Sequence, residues 1–242
     1  MPCVPCVPCV PYVPYMWHRA PTAPSRLQPR NIAVMRPCCP AAPDRSRRVC
    51  VAFGVAFAAL AVLAGLTGCA TAPPPAIVAA SAWGSTPGPA SGRPHTVSQI
   101  TVHHQGEFWT HGADVPAYLR RLQQWSRAAK GWVDVPYHYI IGPDGTIYAG
   151  RSPTLAGDTN TEYGTQGHLQ VMLLGNFEEQ AVTPRQWDST VHLLGDLLKT
   201  YDLPATRIAA HRHHATQTVC PGAGVMARFK ALREAAARAR GR

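Results

Sequence analysis

The sequence predicts a single α/β domain with a mixed central β-sheet flanked by helices. Three observations predict it. From about Val97 onward, strand-like segments alternate with amphipathic helices. The run at 169–175, Leu-Gln-Val-Met-Leu-Leu-Gly, carries no charge, as a central strand buried on both faces should. Residues 1–48 carry neither helical nor strand period, and only from about Val97 does the chain look globular. About 145 residues therefore remain for the domain, enough for one core.

The elements follow in order. Residues 98–104 alternate as a strand, and residues 114–127 place Val115, Leu119, Leu122 and Trp125 on one helical stripe. Residues 137–142 read as a strand. Pro143-Asp144-Gly145 turns the chain, and Thr146-Ile147-Tyr148 returns as its hairpin partner. Thr183-Pro184-Arg185-Gln186 predicts a capping box with proline at the first helical position. The helix that follows presents Trp187, Val191, Leu194 and Leu198, and Pro204 ends it. Residues 207–210 give a short strand. A helix over 224–239 closes the domain, with Val225, Phe229, Leu232 and Ala236 inward.

The N-terminus reads as an address. Residues 1–48 are Pro-, Cys- and Arg-rich, with Pro-Cys-Val repeated at 2–4, 5–7 and 8–10, and could not form a core. A translation start at Met35 would account for much of this extension. Arg45, Arg47 and Arg48 then precede an apolar run, and the segment 49–69 ends Leu66-Thr67-Gly68-Cys69. A basic start, an apolar stretch and small residues are the pattern of an export signal. The ending resembles a bacterial lipobox, which implies a lipid anchor on Cys69. Ala70 after it implies sorting to the outer membrane. A retained membrane helix is the alternative. Residues 70–95, rich in Ala, Pro, Gly and Ser, read as a flexible linker, and the globular domain spans 96–242.

The formal charge of +10 is unevenly spread. Residues 1–68 hold seven Arg and one acid, while the remainder holds 16 basic and 12 acidic residues. Several of the latter basics crowd the last turns of the chain. No basic stripe with interleaved aromatics is present, so nucleic acid is not an expected partner.

Cysteine usage narrows the chemistry. Of eight cysteines, only Cys220 remains free in the domain if Cys69 is lipidated. A lone thiol in an exported protein calls for an explanation other than pairing, and metal ligation is one. Histidines supply the rest of a donor set: His103-His104, then His211 with His213-His214. On an alternating strand His103 and His104 face opposite sides, so one of the pair can reach a metal and the other cannot. Ile100 and Val102 share the face of His104. An open catalytic zinc takes three protein ligands and leaves a position for water.

Five pieces in order carry a family likeness. They are Ile100-Thr101-Val102-His103-His104, Asp134-Val135-Pro136-Tyr137-His138-Tyr139, Gly142-Pro143-Asp144-Gly145 through Gly150-Arg151, Gly175-Asn176-Phe177, and His211-Arg212 to Thr218-Val219-Cys220-Pro221-Gly222. Together the sequence resembles the type-2 N-acetylmuramoyl-L-alanine amidases, which share a fold with peptidoglycan recognition proteins. The resemblance implies zinc as cofactor, His103, His211 and Cys220 as its ligands, and Tyr137 and Thr218 as catalytic groups. It implies peptidoglycan or a muropeptide as substrate, cut at the amide between muramic acid and L-alanine. A monomer is expected.

The chain departs from the family pattern in three places. His211 and Cys220 are nine apart where many members show eight, which leaves His213 or His214 open as a substitute ligand. Met172 stands where some members carry a glutamate base. Ala156-Gly157-Asp158-Thr159 stands where many carry a pocket histidine. His104 and His138 either orient ligands or pack under the sheet. Two other functions compete. One is a non-catalytic peptidoglycan-binding protein, which the presence of Cys220 argues against. The other is a zinc peptidase, which the absence of a His-Glu-x-x-His helix argues against.

Overall fold

A computed structural model describes residues 76–88 and 92–241. The chain divides between Leu66 and Thr67, and every described residue lies in the second unit. The readings placed on residues 1–48, on the signal segment 49–69 and on Cys69 lie outside the described residues.

Six strands form one mixed sheet. They are β1 (Ile77–Val78), β2 (Gln99–His104), β3 (Tyr139–Ile141), β4 (Ile147–Ala149), β5 (His168–Leu173) and β6 (Ile208–Ala210), in the order β1-β4-β3-β5-β2-β6. Only the β3–β4 hairpin is antiparallel; the other four pairings are parallel. Among the described residues four α-helices accompany the sheet: α1 (Val115–Lys130), α2 (Pro184–Thr200), α3 (Ala223–Met226) and α4 (Phe229–Arg240). None of the described helices is long and apolar enough to cross a membrane.

The period of two along β2 and β5 divides the core. Ile100, Val102, Leu169, Val171 and Leu173 point to the face covered by α2 and α4, where they meet Leu194, Leu198, Phe229 and Leu232. Ile140 and Met172 point the other way, against Val115 and Leu119 of α1. The register places His103 beside Met172 and Thr101 beside Gln170, so His103 opens onto the α1 side.

The helix starts follow their sequence signals. The Asp114 side chain accepts from Ala117 N at 3.0 Å, with proline just inside the helix. Thr183 accepts from Gln186 N at 3.1 Å. The expected capping box is only half formed, because the Gln186 side chain goes elsewhere. Buried, it donates to Ile141 O and Leu174 O, satisfying two strand-end carbonyls that α2 covers. The closing helix is also split in two. Arg228 sits at the break, its guanidinium 3.7 Å from the centre of the Trp187 ring.

One sequence expectation is corrected. The stretch 70–95 was expected to be a flexible linker, but residues 76–88 are built into the domain. Ile77–Val78 pairs with Ile147–Tyr148 as the sheet's sixth strand. Trp83, 1% exposed, sits in the α1-side core and donates Nε1–H to Ala149 O at 2.7 Å. Arg120 holds the Trp83 carbonyl at 2.8 Å, and Gln123 of α1 donates to Ser85 and Asp134. These bonds explain why α1 can bury Gln123, while Trp125 is only half-buried. Buried amide groups survive only when paired, and this N-terminal segment supplies the partners.

Candidate metal centre and active site

Three donors converge at the C-terminal end of β2. His103 is the fifth residue of that strand, His211 directly follows β6 on the neighbouring strand, and Cys220 returns on the loop before α3. The ligand atoms of His103, His211 and Cys220 all lie within 4.8 Å of one another, and all three residues are buried. Among the described residues this is the one such group of three. The His103 and His211 rings lie 4.5 Å apart, and Cys220 Sγ is 3.7 Å from His103 Nδ1.

The loop that delivers Cys220 is fixed by backbone contacts. Arg212 N donates to Cys220 O at 2.9 Å, and His104 N donates to Cys220 Sγ at 3.2 Å. Gly222 has φ of 93°, and a Cβ there would lie 2.7 Å from the Phe177 backbone, so only glycine fits.

The donor set fits a soft divalent ion. His103 Nε2 is buried and has no hydrogen-bond partner, an arrangement that costs free energy unless something else binds the ring. Burial, then repulsion from His211, holds the His103 imidazole well below its ordinary pKa. Burial, then His214, lowers His211 to about 4. Both rings are therefore neutral, the form that ligates metal. Burial pushes the Cys220 thiol up to about 12. A cation bound among these groups reverses that cost and stabilises the thiolate. Two imidazoles and a thiolate are a zinc-type donor set.

Tyr137 stands beside this centre, its ring 5.3 Å from that of His103. The chain around it is pinned. Arg151 N donates to Tyr137 O at 2.9 Å, and Gly150 N to His138 O at 2.8 Å. A Cβ on Gly150 would collide with the Tyr137 carbonyl, the physical reason for glycine there. The Arg151 side chain, 2% exposed, reaches Asp134 O, Val135 O and Ala156 O and pairs with Asp158 at 2.5 Å. Asp158 is thus committed to Arg151 and, at 3.3 Å, to Arg93. Thr218 lies two residues before Cys220, and its hydroxyl accepts from Cys220 N at 3.1 Å.

The remaining histidines have other tasks. His104 turns to the opposite face, where its Nδ1 accepts from Phe177 N at 3.3 Å. His138 is buried, its Nδ1 accepting from Gln170 N and its Nε2 bonding Leu155 O. His213 accepts from Ala210 N and meets the Phe229 ring edge-on. His214 bonds Gln99 at 3.0 Å and stacks on Tyr163. Neither joins the three-donor group. Met172 is fully buried in the α1-side core.

Sequence reasoning missed what surrounds His211. Thr161 Oγ1 lies 2.6 Å from His211 Nε2, and the Tyr163 ring is 5.2 Å from the same imidazole. Nothing in Thr159-Asn160-Thr161-Glu162-Tyr163 marks it as more than a polar loop.

The chain is similar to known proteins in sequence and in fold. The N-acetylmuramoyl-L-alanine amidase model, Amidase_2, matches residues 93–223. The chain belongs to this family, which is typically zinc-dependent. Its relatives include both amidases and peptidoglycan recognition proteins. Peptidoglycan-recognition protein SC2 of Drosophila simulans is 25% identical over 182 residues, covering 74% of this chain and 93% of its own. Peptidoglycan recognition protein 1 of Mus musculus is 29% identical over 57% of this chain and 75% of its own. Among solved structures, Drosophila peptidoglycan recognition protein SD superposes with a TM-score of 0.58 at 25% identity, over 64% of this chain and 94% of its own. The endolysin amidase LysCS from Clostridium intestinale gives 0.52 at 26% identity, over 66% and 97%.

Proposed function

We propose that this protein is an exported, zinc-dependent N-acetylmuramoyl-L-alanine amidase. It hydrolyses the amide between muramic acid and L-alanine in peptidoglycan or muropeptides, and a lipid on Cys69 holds it at the outer membrane. The observation that carries the enzymatic reading is the convergence of His103, His211 and Cys220 within 4.8 Å, beside Tyr137. The amidase relatives support the reaction class, and the recognition-protein relatives support the ligand class.

The side chains divide the work. His103, His211 and Cys220 hold the ion through two neutral rings and a thiolate. Zinc, when bound, supplies Lewis acidity towards water and the amide carbonyl. The Tyr137 hydroxyl hydrogen-bonds the attacking water or the oxyanion that develops on the carbonyl oxygen. The Thr218 hydroxyl accepts from Cys220 N, and its own O–H assists by donating to that same oxygen.

Metal analysis of the purified protein, paired with mass spectrometry of a defined muropeptide digest, tests this reading. One zinc per chain and release of the free stem peptide are expected. Cys220→Ser should lose most of the zinc and nearly all hydrolysis, because a neutral hydroxyl is a poorer ligand than a thiolate. A zinc-loaded wild-type protein that bound the muropeptide without cutting it would be a recognition protein instead.

A further inference from the structure

We infer that Thr161 is a positioning residue for the metal centre, acting through His211. This rests on His211 being a zinc ligand, as proposed above. The imidazole has two nitrogens, and the Thr161 hydroxyl lies 2.6 Å from Nε2. A neutral ring carries one N–H, and the nitrogen bearing it cannot ligate a metal. With its O–H turned to Thr159 Oγ1, 2.9 Å away, the Thr161 hydroxyl is left to accept from Nε2–H, and Nδ1 holds the lone pair. The hydroxyl therefore selects the tautomer as well as the ring's rotation, the task that carbonyls and carboxylates usually perform at metal-bound histidines.

The neighbouring structure holds Thr161 in place for this. Its Oγ1 is 2.9 Å from Thr159 Oγ1, and its own N–H donates to that same oxygen. The loop is anchored at both ends. Asp158 pairs with buried Arg151, and Thr165 donates to Gly157 O at 2.7 Å. Tyr163, two residues on, sets its ring against the His211 imidazole and donates its hydroxyl to Gln170. His211 is thus gripped by a hydrogen bond and a ring contact from one short loop. The strand that precedes it, β6, is only three residues long.

Three proteins suffice for the test: wild type, Thr161→Val, which keeps the shape and deletes the hydroxyl, and Thr161→Ser, which keeps the hydroxyl. Zinc affinity is read by competition with a chromophoric chelator. The His211 tautomer is read in the metal-free proteins by nitrogen NMR, and apo-protein melting serves as the folding control. Thr161→Val should bind zinc roughly 10- to 100-fold more weakly, with mixed His211 tautomers and near-normal melting. Thr161→Ser should restore both the affinity and the Nε2–H tautomer. Wild-type affinity in Thr161→Val, or a weakened affinity that Thr161→Ser does not recover, overturns the inference. A wild-type protein that holds no zinc at all overturns the proposed function itself, and the inference with it.

Discussion

At the scale of single residues, Tyr137 and His138 are chain neighbours with opposite duties. Tyr137 faces the metal centre, whereas both His138 nitrogens are bonded to backbone groups of Leu155 and Gln170. Tyr137→Phe should therefore lower kcat by roughly 10²- to 10³-fold, the usual loss for one oxyanion donor. KM and zinc content should stay near normal, as stopped-time assays with metal analysis on the same samples would read. His138→Gln should instead cost stability, about 1–3 kcal/mol for buried groups left poorly paired. The pH dependence separates the two further. Burial, with added repulsion from His95 and Arg151, lowers His138 to about 4 despite its two backbone bonds. An unfolded histidine titrates near ~6.5. Between these values the unfolded chain binds the extra proton, so this contribution is complete above ~6.5 and is lost as pH falls towards 4. His138→Gln should flatten that slope in urea unfolding measured at neutral and mildly acidic pH.

At the scale of elements, the segment before the sheet carries more weight than its composition advertises. Trp83→Ala removes a buried indole and leaves Ala149 O without its donor. It should cost about 3–5 kcal/mol, visible as a lower chemical-denaturation midpoint. The metal donors share no bond with Trp83, so zinc binding at moderate temperature should persist. The sheet and helices were legible because their signals are local: alternation along Gln99–His104, the charge-free run through Leu173, and Thr183-Pro184 at a helix start. The three donors were legible because the motif around each matches a family in order. Ile77–Val78 was not legible, since two residues pairing with Ile147–Tyr148 have no period of their own. Trp83 was a single aromatic among Ala, Gly and Pro, and only the α1 groove it fills makes it core. Thr161 was illegible for the same reason: its role exists only because folding brings His211, 50 positions away in sequence, to its hydroxyl.

At the scale of the whole molecule, the proposed anchor and the observed edge strand bear on each other. Cys69→Ala should release the protein from membranes into the soluble fraction. If the variant stays with the membranes and keeps its long N-terminus, the apolar segment is a retained helix. With a lipid on Cys69 and the domain starting at Ile77, the leash from Cys69 to Ala76 is seven residues long. Fully extended it spans at most about 25 Å, against roughly 90 Å had the whole stretch to residue 95 been free. Under that proposal the docking of Ile77–Val78 and Trp83 would set a radius of action. The enzyme would patrol a thin shell above its membrane, meeting only glycan or muropeptides that come within that shell. Inserting about twenty Gly/Ser residues after Ala72 would widen the shell. Cleavage of immobilised wall material should rise while turnover of a soluble muropeptide stays the same.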